Sequence, residues 1–505
     1  MKKKMMMKGS LAPKIAAFTL VVIGGEEDWR RREREWREKK HPNCVFVFRR
    51  MEEGGDGRIR TGTLWTATAH AITAIIGSGV LAVPWSVAQM GWLLGPLILV
   101  VFAYITYYTA TLLSDYYRSP AGRRNYTYIG VVKAYLGARD VLVCGITQYS
   151  MLWVTSIGYT ITAATSMMAV QRSDCLHEKG HNARCRASGN LYMIIFGAIE
   201  IVLSQFPNLE KVTFLSVVAS VMAFGYSFIA LYLCVVKFAS NQVIRGSLVG
   251  DMPGTMGLSL SDKIWHFFQA VGNIAFAYTY AMLLVEIQDT VKSPPPEHET
   301  MKKASMYGIG LTTMFYISLG CVGYAAFGNG APGNILTGFH EPFWLVDIAN
   351  IGVIIHLIGA YQVFLQPVFA FYEKWLASRW PTVGFFIKIY TFRLPFDNSC
   401  SFQFTLSRLV LRTVFVVFTT LVSMMLPFFN AVLGLLGAMA FWPLTVYYPV
   451  TMYITQSKIK RGTCKWLVLQ GLSMFALVVS LVSAVGSVAD IIQRLKHARM
   501  FHISY

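Results

Sequence analysis

Charge is what this sequence has least of. Asp, Glu, Lys and Arg make up 14% of its 505 residues, where a soluble domain carries about a quarter. That shortage excludes an ordinary soluble globular domain. Acidic residues are the scarcer sign, 26 against 45 basic, leaving a net charge of +19. The surplus suggests nucleic acid, but the basic residues lie in loops between apolar blocks and form no aromatic-interleaved stripe, so no nucleic-acid partner is expected. Cys-x-x-Cys and Gly-x-Ser-x-Gly are absent. No metal, no cofactor and no enzyme site are expected. A filter sequence or rings of charge, which a channel would want, are also missing. The cysteines number only eight. Cys144, Cys234 and Cys321 lie inside apolar segments and read as core packing.

What the chain has in abundance is apolar blocks. Hydrophobic residues make up 54% of it, with mean hydropathy +0.47. The blocks run to roughly twenty residues, enough to cross a hydrocarbon core of about 30 Å. Barrel strands would be shorter and would alternate. The fold class is therefore an all-α multi-pass membrane protein surrounded by lipid. Eleven spans are predicted, at about 65–89, 91–114, 141–170, 191–206, 212–236, 264–287, 304–327, 344–371, 406–426, 429–453 and 466–489, the first two joined by a tight turn at Gly91. With the N-terminus inside, 35 of the 45 Lys and Arg fall in inside segments. The charge rule thus places the N-terminus inside and the C-terminus outside.

That topology puts Cys175 and Cys185 in one outside loop, where a disulfide can persist; two free thiols are the alternative. Asn125-Tyr126-Thr127 has the letters of a glycosylation sequon but falls inside and is expected to be unused. Residues 1–60 read as a basic, disordered cytoplasmic extension, with a start resembling a signal peptide but no clean cleavage site. Met51 offers an alternative start. Residues 61–505 read as one eleven-span membrane domain.

The first span carries a contradiction. "AITAIIGSGVLAVPW", Ala71–Trp85, places Gly77-Ser78-Gly79 and Pro84 in the middle of a membrane helix. Unpaired backbone is tolerated at membrane depth only beside protein or a water-filled cavity, so a break there points to a binding site. Glycines leave helical geometry cheaply. The N–H groups of the restarting helix suit a carboxylate, and carbonyls freed from the first half suit a cation or an amine. Close helix packing would use the same glycines. The sixth span offers a second break near Gly272-Asn273, with Ala275 and Ala277 following. Matching breaks are expected of inverted repeats, here spans 1–5 (about 65–236) and 6–10 (about 264–453), with span 11 (about 466–489) extra.

"GTLWTATAHAITAIIGSGVLAVPWSVAQMGWLLGP", "YYTATLLSDYYR", "RNYTYIGVVKAYLG" and "IAFAYTYAMLLVEIQDTVKSPPPEHETMKKAS" strongly resemble the plant amino acid permeases of the amino acid/auxin permease group, in the amino acid-polyamine-organocation superfamily. The likeness runs from about Arg60 to near the C-terminus. It implies eleven helices of the five-plus-five inverted-repeat type with helices 1 and 6 broken. It also implies proton-coupled symport of neutral and often acidic amino acids at the plasma membrane, with an endomembrane as the alternative address. Two departures stand out: the first fifty residues are unfamiliar, and Asn273 stands where many members have Asp.

Gly77, Ser78 and Gly79 are the candidates for the substrate carboxylate. Ala275, Phe276, Ala277 and Tyr278 would line the opposite wall, Phe276 shaping a side-chain pocket and Tyr278 offering a hydroxyl. Proton coupling needs a titrating group in the membrane. His70, two helical turns before Gly77, and His356, on one face with Gly352, Gly359 and Ala360, are the first candidates. Glu286, toward the inner end of span six, is a candidate gate. Glu200 has no evident partner, and Asp347 reads as an interface residue. The alternatives keep the same fold: a sodium-coupled carrier, an auxin or lysine/histidine carrier, or a sensor that transports nothing.

Overall fold

The computed structural model describes residues 60–180, 185, 187–205, 209–250, 259–380, 382–393 and 401–497. The expected N-terminal extension, Met51 and the C-terminal tail lie outside them, apart from Arg60. Two compact units are distinguished. Among the described residues, one holds 60–365 with 414–497; the other holds 366–413.

The larger unit begins with α1 (Leu64–Ile75), a single 3₁₀ turn (Ser78–Ala82) and α2 (Val83–Ser114). Thr63 caps α1, its hydroxyl accepting from Thr66 N while the Thr66 hydroxyl accepts from Thr63 N. Within α2 the chain turns at Gly91, with φ 80°. A Cβ there would lie 2.3 Å from Gly250 N, so the turn needs glycine for conformation and for space. Next come α3 (Tyr128–Tyr135), α4 (Ala138–Lys179), α5 (Gly189–Ser204) and α6 (Leu209–Asn241). The sixth predicted span is two helices, α7 (Leu260–Ala277) and α8 (Ala281–Asp289). It is followed by α9 (Glu297–Phe327) and α10 (Phe343–Arg379), of which the stretch from Gln366 on is grouped with the smaller unit.

Among the described residues nine helices are long and apolar enough to cross a membrane, and Gly189–Ser204 is a shorter apolar one. Several outrun their predicted spans: α4, α9 and α10 extend beyond the 141–170, 304–327 and 344–371 expected from hydropathy. Hydropathy marks the part that crosses lipid, whereas a helix continues until its hydrogen-bond ladder is capped.

Two features of the later chain were not expected. In the smaller unit a short helix α11 (Gly384–Ile387) precedes an antiparallel hairpin, β1 (Ile389–Arg393) with β2 (Ser401–Thr405), pairing Ile389 with Thr405 and Arg393 with Ser401. There Arg412 Nε also donates to Glu373 Oε1 at 2.6 Å. After α12 (Leu406–Met425), the tenth predicted span is interrupted. It runs as α13 (Phe429–Ala440), a π-helical turn (Phe441–Tyr447) and α14 (Tyr448–Gln456). Pro443 in that turn lacks the N–H that an α-helix would use. Helix α15 (Cys464–His497) ends the described chain.

Candidate functional site

The first break lies where the Gly-Ser-Gly stretch predicts. Helix α1 ends as Ile76 N donates to Ile72 O, and Gly77 follows in extended backbone (φ −126°, ψ −153°). A Cβ on Gly77 would meet nothing within 4 Å. Gly79 is different: its Cβ would lie 3.2 Å from Phe276 Cδ1 and 3.3 Å from Ala277 Cα. Gly79 thus lets the end of α7 press against the restarting chain, while Gly77 borders open space. The first N–H groups of the turn that begins at Ser78 have no intrahelical acceptor.

The second break is displaced from its expected place. Gly272 and Asn273 are helical, and α7 runs on to Ala277 before the chain leaves the helix at Tyr278, Thr279 and Tyr280. Gly272 serves packing instead. A Cβ on it would lie 2.7 Å from Gly434 O, and one on Gly437 would lie 1.9 Å from Gly272 O, so α7 and α13 meet backbone to backbone. The break is built of tyrosines. The Tyr278 hydroxyl donates to Thr313 Oγ1 at 3.1 Å, and Tyr280 Oη lies 2.5 Å from Ser305 Oγ. The Tyr278 hydroxyl, expected to face a ligand, is therefore turned toward α9. Ala275, Ala277 and Tyr278 are buried, and Phe276 is half-buried.

One residue that the sequence reading passed over joins the two breaks. Tyr316 of α9 donates its hydroxyl to Ile75 O at 2.8 Å and lies 3.4 Å from Ala277 O. It thereby holds a carbonyl from the last turn of each interrupted helix. Its ring meets that of Tyr278 edge-on, centroids 5.5 Å apart. Ser305, Thr312, Thr313 and Tyr316 recur at helical spacing within an apolar span, a stripe that was legible. Glycines of the same helix admit its neighbours: added Cβ atoms at Gly308, Gly320 and Gly323 would lie 2.9, 2.9 and 2.7 Å from Ala71, Val87 and Pro84.

The coupling candidates are not brought together. His70 is exposed on α1. The two-turn argument linking it to Gly77 fails, because α1 stops at Ile75 and helical periodicity ends with it. His356 is buried against α6, its Nδ1 2.8 Å from Ala219 O and its ring edge-on to Tyr226. Glu286 is exposed on α8. Glu200 does have a partner: its Oε2 accepts from Gln362 Nε2 at 2.5 Å. Cys175 and Cys185 are joined in a disulfide, and Cys144 and Cys234 are buried thiols.

The specific block "VEIQDTVKSPPPEHETMKKA" ties loops to helices. Asp289 Oδ1 accepts from Arg60 Nη2 at 2.7 Å and from the Tyr117 hydroxyl at 2.5 Å. Burial, and next the bond to Asp289, pushes the Tyr117 phenol above its ordinary value, so it remains the donor. Glu297 pairs with Arg118 at 2.6 Å and Arg124 at 3.2 Å, and Gln288 Nε2 donates to Ser114 O.

One stretch of the chain has the letters of a metal motif. His177-Glu178-Lys179-Gly180-His181 spells His-Glu-x-x-His. That motif works when both histidines share one helical face. Here α4 ends at Lys179 and Gly180 takes φ 83°, so the spacing is broken; His181 lies outside the described residues. His177 stacks on Phe343, centroids 3.8 Å apart.

Many long apolar helices, with the first and sixth predicted spans interrupted and their breaks face to face, are the architecture of a multi-pass membrane protein. Residues 60–493 match the family described as transmembrane amino acid transporter protein. Amino acid permease 8 of Arabidopsis thaliana is 51% identical over 452 residues, covering 88% of this chain and 94% of that protein. Amino acid permease 2 from the same plant is 51% identical over 456 residues (89% and 92%). Lysine histidine transporter-like 1 is 29% identical over 449 residues (88% and 91%). A crystal structure of MhsT in complex with L-phenylalanine aligns at TM-score 0.49 and 12% identity, covering 85% of this chain and 100% of that one. The chain belongs to the plant amino acid permease family, whose members carry amino acids across membranes and are not enzymes.

Proposed function

We propose that this permease imports neutral L-amino acids together with protons across the plasma membrane, by alternating access. The observation that carries the reading is the pair of breaks facing each other, with Gly79 against Phe276 and Ala277 and with Tyr316 holding Ile75 O and reaching Ala277 O. Interrupted helices at matching places are how inverted-repeat carriers build a site. The substrate carboxylate is assigned to the N–H groups at Ser78 and Gly79, on the open side of Gly77. Half-buried Phe276 would shape the side-chain pocket. Tyr278, committed to Thr313, becomes a positioning residue.

The topology belongs to the same proposal. Counting Ser78–Ser114 as two spans that meet at Gly91, and adding the short Gly189–Ser204, makes eleven. The loop charges favour an inside N-terminus and an outside C-terminus. Residues 1–60 would be a cytoplasmic extension of a transporter domain spanning 61–505. Close contact of α7 with α13 suits a form shut on the outside. His70 and Glu286, both exposed, are assigned to the inner path, and His356 to a protonation step within the bundle.

Currents recorded in oocytes on adding amino acids, at pH about 5.5 and about 7.5 with and without sodium, test this. Larger inward currents in acid, unchanged without sodium, are expected. Currents that vanish without sodium would replace protons by sodium as the coupling ion. Surface-labelled protein with neither current nor uptake would favour the sensor.

A further inference from the structure

The five-plus-five arrangement assigns no work to α15, yet this helix carries a polar face. Ser473, Ser480, Ser487 and Arg494 recur every seven residues, with Ser483 and Asp490 beside them. Ser473 and Ser480 accept from Trp442 Nε1 and Trp442 N. Farther along, α15 meets α7. A Cβ on Gly486 would lie 2.7 Å from Phe268 Cβ and 2.8 Å from Trp265 O. Along this contact Gln269 Oε1, both amide atoms of Asn273, Ser483 Oγ and Ser487 Oγ are buried without a hydrogen-bond partner. Buried polar atoms of that kind oppose the contact that buries them.

A charge cluster at the end of the seam opposes them in turn. The buried Asp490 carboxylate accepts from Gln269 Nε2 at 2.9 Å and from Arg494 Nε at 2.8 and 2.9 Å. His266 Nε2 lies 3.8 Å from Asp490 Oδ1, too far for a hydrogen bond but close enough for an ion pair once the imidazole is protonated. The ring edge of His266 also meets Trp85 of α2, centroids 6.0 Å apart. The other charged groups near His266 are Asp262 and Lys263, one turn earlier on α7, and Arg494. Asp262 is itself bonded by Gln493 Nε2 at 3.0 Å. Neither Val83–Met90 nor Phe429–Ala440 carries an ionisable side chain.

We propose that His266 and Asp490 form a proton-operated latch. A proton on His266 completes an ion pair that holds α7 against α15. Its loss lets α7 leave and returns the unpartnered amides and hydroxyls to water. The contact is finely opposed, so one added charge tips it, and a proton that binds the latched form more tightly must favour that form. The latch rests on the proton-symport reading above and supplies it with a coupling group at the mouth of α7. His266 acts through α7 and is a positioning residue for the site at the breaks.

The test is the half-saturating concentration of L-alanine in oocytes at pH about 5.5 and about 7.5, for wild type, His266→Gln and His266→Arg, normalised to surface protein. Wild type should need several-fold, up to about tenfold, more L-alanine at the higher pH, where loss of the proton opens the latch. His266→Arg, permanently charged, should hold the low value at both pH values. His266→Gln should hold the high value at both. Opposite displacement of two correctly trafficked variants is something a merely structural role would not give. Proton-coupled wild-type currents with the same pH slope in all three proteins would overturn the latch and leave the symport reading intact. Wild-type currents without proton coupling would overturn the reading, and the latch with it.

Discussion

The two breaks solve the same problem in opposite ways. At the first, the backbone does the work: Gly77 is extended, no side chain pins it, and an added Cβ would meet open space. At the second there is no glycine. Tyr278 and Tyr280 bracket the interruption, and their hydroxyls are anchored on Thr313 and Ser305 of α9. One break therefore lies in permissive backbone, the other between tyrosines whose hydroxyls are anchored on α9. The first is free to meet a ligand. The second is stiff, and it positions the wall that the first one faces.

Three substitutions would break or sharpen that contrast. The largest effect is expected from Gly437→Ala, outside both breaks. Its Cβ would fall 1.9 Å from Gly272 O, an overpacking that should cost about 3 kcal/mol or more and should deplete surface protein and uptake together. Normal surface levels with normal uptake would show that α7 and α13 can part freely, and that Gly272 does not explain why α7 continues past it. Next is Tyr316→Phe, which leaves Ile75 O only the Gly77 N–H at 3.0 Å as a donor. A loss of about 1 kcal/mol is expected, read as roughly a fivefold rise in half-saturating substrate with surface protein retained. No rise would mean the breaks do not need their shared anchor. The smallest structural effect belongs to Gly77→Ala. Its backbone angles suit alanine and its Cβ is unopposed, so surface protein should match wild type. Half-saturating substrate should rise a few-fold if a ligand approaches this side, and an unchanged value would move the site elsewhere.

How legible these features were depends on what each is made of. Gly77-Ser78-Gly79 announces itself because a glycine cluster is rare inside an apolar helix. Gly91 reads as a turn because it falls where two apolar blocks meet, and its positive φ bears out the turn. Gly272 misled, since glycine also serves close helix contact, and which use prevails depends on whether another backbone arrives. Here Gly434 and Gly437 do. Tyr278 and Tyr280 gave no warning, because tyrosine has no special backbone freedom and their partners Thr313 and Ser305 lie on another helix. His70 shows the limit of periodicity: counting turns across a break assigns a face that no longer exists. The partner of Glu200, Gln362, lies 162 residues away, and no local pattern names it.

Composition and block length alone determined that this chain is a helical membrane protein, because burial in lipid demands long apolar segments whatever their neighbours are. Local chemistry alone determined the first break and the turn at Gly91, because backbone freedom is a property of the residue itself. Family membership was already written in the motifs around both breaks. Only the tertiary structure decided where the second helix stops, that Tyr316 bridges the breaks, and that α15 turns a polar face to α7. Each of those is a contact between distant segments, and its free energy exists only once the partner helix is in place.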